Sequence, residues 1–247
     1  MRLVFSHRSH PGLVRPTNQD AYSVDRLEMR LDAALLVVAD GMGGYEGGEV
    51  ASQLAVTTVR NRVLASAESW AESGLLLTGL AEAVAEANRA ILAAQVQHPE
   101  IGSMGTTLTI ALIWGERILI GHVGDSKACL ITGDTVSTVT SDHNVAGELV
   151  QIGQLTAEQA AHHPQRHVLT RALGIGDPVR VEQLELAWHP GDILLLNTDG
   201  LSNLVQLSEI QESSKLGFES LTTRLVDLAL ERGGFDNITV LAARWEE

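Results

Sequence analysis

Five acids in this chain stand where an apolar run meets a glycine or a turn. Asp40 follows the apolar run of VVADGMGG and precedes Gly41. Asp125 closes RILIGHVGD, Asp199 closes DILLLNTD, Asp236 opens the run in GGFDNITV, and Asp20 ends RPTNQD just ahead of another short strand. A carboxylate at the end of a buried strand loses hydration and needs a positive partner. If the strands lie side by side, the five acids converge at one end of the sheets. Converging carboxylates repel, and one must take up a proton unless cations fill the gap. Oxygen ligands without cysteine or clustered histidine select hard ions: Mg2+ or Mn2+, with Ca2+ as an alternative. Gly41, lacking a side chain, can bring its backbone carbonyl close to an ion. An isolated Asp before Gly is also a common turn residue, so independent turns remain the other reading of each acid taken singly. Several such acids in one chain favour a shared site holding two ions.

Rival motifs fail on detail. A dinucleotide fingerprint starting at Gly41 and Gly43 would need glycine at 46, where Glu46 stands. No GxxxxGK[ST] loop and no GxSxG elbow is present. Ser126 has no activating histidine at a recognisable spacing, so no covalent nucleophile is expected.

The elements that must position these acids are legible as runs rich in Val, Ile, Leu and Thr. Strands are expected at RLVFSH near the start and at 33–40, 106–114, 117–123, 127–132, 179–188, 192–198 and 237–245. Two helices are expected between the second and third runs. One spans 49–65; the other spans 76–94, where Leu76, Leu80, Val84, Ala87, Ile91 and Ala94 recur at helical spacing. A capping box is read at Ser208 and Gln211, and a helix over 219–232 stops at Gly233-Gly234. Strands in consecutive groups separated by helix pairs favour antiparallel sheets covered by helices. The polar, His-rich segment 145–167, with Thr156 and Gln159 able to cap a short helix, reads as a flap over the main body.

Composition sets the outer bounds. At 247 residues without repeats or linkers, the chain is expected to form one domain, 1–247. The formal net charge of −14 opposes nucleic-acid and anionic-membrane binding. No run of about 18 apolar residues and no secretory stretch is present, and Cys129 has no internal partner, so a cytoplasmic protein is expected.

RPTNQDAY, VVADGMGG, MGTTLTIALI, GHVGDSKACLI, TSDHN, HVLTRALG, LLLNTDGL and GGFDNITV, in that order, resemble the signature set of the metal-dependent protein phosphatases, the type 2C family, in compact bacterial form. The resemblance runs from about residue 14 to 243. It implies an α+β fold: a four-layer α/β/β/α sandwich of two antiparallel sheets flanked by helix pairs. It further implies hydrolysis of phosphoserine and phosphothreonine in proteins by a metal-bridging hydroxide, without a phosphoenzyme.

By the same resemblance Asp40 bridges two metals, the Gly41 carbonyl binds one, and Asp199 and Asp236 complete the other. Asp20 hydrogen-bonds metal-bound water, and Arg15 clamps phosphate. Asp125 with Asp199 matches the pair that holds a weaker third metal in bacterial members. Phosphorylated proteins are the implied partners, and a monomer is expected.

Departures are specific. Met42 and Tyr45 stand where family members carry histidines, which leaves the proton donor to the leaving oxygen unassigned. Lys127 stands where Arg is common, and Asn203 where an acid often follows DGL, which weakens the third metal. His143 reads as a local turn or cap residue, with a place at the edge of the site as the other reading; His162 and His163 read as solvated residues of the flap, with contact to substrate as the alternative. A catalytically silent binding module and a phosphatase of small phosphoesters are the competing readings.

Overall fold

The computed structural model describes residues 2–28, 30–43 and 46–246. Among the described residues, eleven strands and seven α-helices alternate in blocks, as the grouping of apolar runs predicts. The first sheet holds β2 (Asp20–Arg26), β3 (Ala33–Gly43), β5 (Leu108–Trp114), β6 (Arg117–Val123) and β9 (Glu182–Ala187), in that order, with β4 (Met104–Thr106) on the end of β3. The second runs β1 (Arg2–His10), β11 (Ile238–Glu246), β10 (Ile193–Asn197), β7 (Lys127–Thr132), β8 (Thr135–Thr138). Every pairing is antiparallel.

Burial of β3 on both faces explains its unbroken apolar run. Ala33, Leu35, Val37 and Ala39 pack under the helices α1 (Gly47–Glu72) and α2 (Leu76–Gln97). Ala34, Leu36 and Val38 point the other way, into the layer between the sheets. There they meet Leu194, Leu196, Leu241 and Ala243 of the second sheet, with Trp188 and Trp245 stacked at 5.7 Å between ring centres. The far face of the second sheet is covered by α5 (Asp199–Ser202), α6 (Leu207–Lys215) and α7 (Leu221–Glu231). The fold is therefore the α/β/β/α sandwich.

Several expectations need correction. Helix α1 runs to Glu72, not 65, because Ala67 and Trp70 continue the stripe of Ala51, Ala55, Val59 and Val63 through a polar stretch. The run 106–114 is broken at Thr107, whose N–H donates to the Asp40 carbonyl at 2.9 Å and whose hydroxyl accepts from the Asp40 N–H at 2.9 Å. Strand β8 was not foreseen; its short polar run follows Gly133 at φ 56°. The start of α6 is served by Glu209, whose carboxylate accepts from the Gln206 N–H at 3.0 Å, two residues before the expected box. Strand β9 keeps only residues 182–187 of the expected 179–188. In the flap segment, Thr156 and Gln159 do form a reciprocal cap on α4 (Ala157–Ala161), and α3 (Val145–Gln151) precedes it.

Candidate metal centre and active site

The two sheets bring the acids together at one end. Asp20 and Asp40 are register partners on the adjacent strands β2 and β3. Asp199 is the first residue of α5, directly after β10, and Asp236 lies two residues ahead of β11. Asp125 follows β6. The glycine after Asp40 is not a turn, as the sequence suggested: β3 runs through it, pairing Gly41 with Thr106 and Gly43 with Met104. Its role is close packing, since a Cβ at Gly41 would lie 2.1 Å from the Gly48 carbonyl oxygen at the start of α1. Gly200, after Asp199, is held likewise: a Cβ there would sit 2.0 Å from the Asn237 carbonyl oxygen.

Electrostatics confirm the crowding. Burial, then the charges of Asp20, Asp199, Asp125 and Asp236, push the Asp40 carboxyl well above its ordinary range. Burial and the neighbouring acids raise Asp20 to about 7. Burial, Asp199 and Asp142 raise Asp125 to about 7. Burial and Asp236 raise Asp199 as well. Such a cluster is unfavourable at neutral pH unless cations neutralise it.

The donor set fits hard divalent ions: carboxylate oxygens, with the backbone of Gly41 next in the chain after Asp40. A second observation agrees. Asp20 Oδ2 accepts from the Thr198 and Thr239 hydroxyls at 2.9 and 2.7 Å, while its buried Oδ1 has no protein partner. Buried polar oxygens are rarely left so, and this one is available to a water or ion at the centre of the cluster.

Arg15 is exposed and lies at the rim, where its guanidinium makes a two-pronged pair with Asp236: Nε to Oδ1 at 2.9 Å and Nη2 to Oδ2 at 2.7 Å. Asn203 donates to Asp199 Oδ2 at 3.0 Å, and Lys127 pairs with Asp142. Met42 packs against Gly105, and its thioether has no proton to give. Tyr45 lies outside the described residues. Ser126 is buried, its hydroxyl 2.8 Å from that of Thr107, so it is closed to substrate.

A cavity of about 860 Å3 opens from Asp125 and Asp199 toward the flap segment, with Arg166, His167 and the exposed His162 on its wall. Sequence reasoning passed over Arg166 and His167. His167 shares the cavity wall with Asp199, and its electrostatic influence on the Asp199 carboxyl is a lowering one, smaller than the raising effects of burial and Asp236. No periodic signal marks it; only the fold brings the flap to Asp199.

His143 is neither a turn nor a cap residue. Asn144 caps α3, and His143 is buried beside His122, with ring centres 4.8 Å apart. His122, His143 and Glu182 offer ligand atoms within 4.8 Å of one another, a clustering the sequence spacing hid. Their lone pairs are already committed. His122 Nε2 faces the Ser141 carbonyl and must carry the proton, leaving Nδ1 for the Thr109 hydroxyl. His143 Nδ1 accepts from the Gly124 N–H at 3.1 Å. Burial keeps both rings neutral, lowering His122 to about 4 and His143 to about 3. The cluster is an anchor for the loop carrying Asp125.

The protein phosphatase 2C profile matches residues 14–237, which include all seven site residues named from the sequence. The chain belongs to the protein phosphatase 2C family. Among its relatives is the serine/threonine phosphatase Stp of Listeria innocua, 35% identical over 242 residues, covering 95% of this chain and 92% of that protein. The crystal structure of the Mycobacterium tuberculosis serine/threonine phosphatase PstP superposes with a TM-score of 0.87 at 36% identity, over the full length of both chains. A structure of the PstP catalytic domain in complex with two manganese ions matches at 0.84 and 35% identity, covering 99% of each chain. Among the described residues of this family member, no helix is long and apolar enough to cross a membrane.

Proposed function

We propose that this chain is a metal-dependent phosphatase of phosphoserine and phosphothreonine in proteins. The convergence of five mutually repelling carboxylates from both sheets carries the reading, and the names and metal content of the relatives support it. Asp40, the Gly41 carbonyl, Asp199 and Asp236 would hold two cations, Mg2+ or Mn2+. Asp125 and Asp199 hold a third more weakly, since Asn203 already occupies one Asp199 oxygen. Bound there, such ions supply an activated water and offset charge in an in-line displacement at phosphorus.

The protein's own groups do the rest. Asp20, fixed by Thr198 and Thr239, turns its unpartnered Oδ1 toward the water and orients it. Arg15 exchanges its Asp236 partner for two phosphate oxygens, because its planar fork matches either acceptor. Water attacks phosphorus directly, and the buried Ser126 takes no part.

The test is phosphate release from a phosphothreonine peptide with Mn2+ or EDTA, for the wild type and Asp199→Asn. Turnover that requires Mn2+ and falls by roughly a thousandfold in the variant is expected, several kcal/mol of charge stabilisation being lost. Folded wild-type protein that releases no phosphate with any divalent ion would overturn the reading.

A further inference from the structure

Leu13, Val14 and Phe235 are 65%, 64% and 61% exposed. Scattered exposed apolar residues are ordinary, and Leu31 and Val96 are of that kind. These three differ in their placement. Val14 precedes Arg15 and Phe235 precedes Asp236, so the patch is continuous with the ion pair at the rim of the site. The two segments are laced together: the Leu13 N–H donates to the Gly234 carbonyl at 2.7 Å, and Asn237 Nδ2 donates to the carbonyls of Pro11 and Thr17. The side chains lie over glycines that leave them room. A Cβ on Gly233 would meet the Phe235 ring at 2.4 Å, and one on Gly234 would lie 3.2 Å from Leu13 Cγ. Leu13 and Phe235 thus flank the Gly233-Gly234 turn next to the Arg15–Asp236 pair, Val14 adjoins them in sequence, and none of the three lines the flap cavity.

We propose that Leu13, Val14 and Phe235 bind the apolar side chain that flanks the phosphoresidue of a peptide substrate. The inference rests on the phosphatase reading above. A phosphate held by Arg15 places the next residues of its peptide within about 3.5 Å per residue of the same spot, which is the reach of this patch. An acidic neighbour would instead meet Asp236 and the field of a chain with net charge −14. An apolar neighbour meets surface that gains by being covered.

The experiment compares phosphothreonine peptides on a glycine background, with a single Leu or Glu placed at each position from three before to three after the phosphoresidue. The readout is the ratio of kcat/KM for each peptide to that of the glycine parent. Leu at one position near the phosphoresidue raises the ratio about tenfold, the effect of partly burying one such side chain, mainly through KM. In Phe235→Ser and Leu13→Ser the ratio returns toward one, a change that a general loss of activity or folding does not produce. A flat profile, or a Leu preference that both variants keep, overturns the proposal. So does a concentration-dependent dimer that either variant abolishes, which would give the patch to a second copy of the chain. If the folded wild type releases no phosphate from any of these peptides with any divalent ion, the phosphatase reading fails on its own. Fluorescence anisotropy of the labelled Leu and glycine peptides then still decides, equal affinities overturning the proposal.

Discussion

Asp40 is the residue on which the centre turns, and its replacement should have opposite effects on stability and activity. In EDTA, Asp40→Asn takes one acid out of the crowded, buried cluster, so the melting temperature at pH 7.5 should rise above that of the wild type. Activity should fall by roughly a thousandfold, and the rise in melting temperature that Mn2+ gives the wild type should vanish. The pH dependence has a definite sign. Asp20 and Asp125 are raised from 3.8 to about 7 in the folded chain, which therefore holds protons that the unfolded chain releases. Their contribution favours folding at low pH and is lost as pH climbs from about 4 toward 7. His122 and His143, lowered to about 4 and 3, act the other way over part of that range, since only the unfolded chain takes up their protons below about 6.5. Comparing wild type with Asp40→Asn by calorimetry isolates the carboxylates, and the gap should widen from pH 4 to 7; a gap that narrows contradicts the crowding. Arg15→Lys should lower kcat/KM on phosphopeptides by 10- to 100-fold, because an ammonium cannot grip two oxygens in one plane. The acids were readable because each abuts a strand-like run, ending it or standing just ahead of it. Arg166 and His167 were not, since their relation to Asp199 depends on how the flap segment folds back.

At the scale of the element, β3 does two jobs, and the sequence revealed one. Its apolar run predicted a buried strand, yet the Asp-Gly step was read as the strand's end. The strand continues to Gly43 because β4 supplies partners and because Gly41 admits the backbone of α1. Gly41→Ala should therefore destabilise the fold by about 3 kcal/mol or more, with a backbone oxygen and no flexible side chain in the way. Denaturant unfolding of Gly41→Ala against wild type measures this, and a loss below 1 kcal/mol would show that α1 can shift freely. Thr107 was hidden in a run that looked continuous. Its kink separates β4 from β5 and hydrogen-bonds both backbone groups of Asp40, a three-dimensional relation that no spacing rule encodes. Helix α1 outran its prediction for a related reason: Trp70 is placed by its contact with Gly79 of α2, a neighbour 9 residues away in sequence.

At the scale of the molecule, the four layers were foreseeable from blocks of strands and helices, but the pairing order was not. The layer between the sheets depends on the Trp188 and Trp245 stack, with Trp188 Nε1 donating to the Gly115 carbonyl at 3.0 Å. Trp188→Ala should cost about 3–5 kcal/mol and lower Mn2+ affinity, because the ligands come from both sheets. A variant that unfolds earlier yet binds Mn2+ unchanged would show that the sheets are aligned by other contacts. At one edge of the second sheet β1 has β11 as its partner, residue 2 opposite 246 and residue 10 opposite 238. Strand β1 thus has no partner until β11 is in place, and Asp236 lies two residues ahead of β11. A cut that releases residues 236–246 removes the partner of β1 and one acid of the cluster together, so clipping dismantles the sheet edge and the centre in one event.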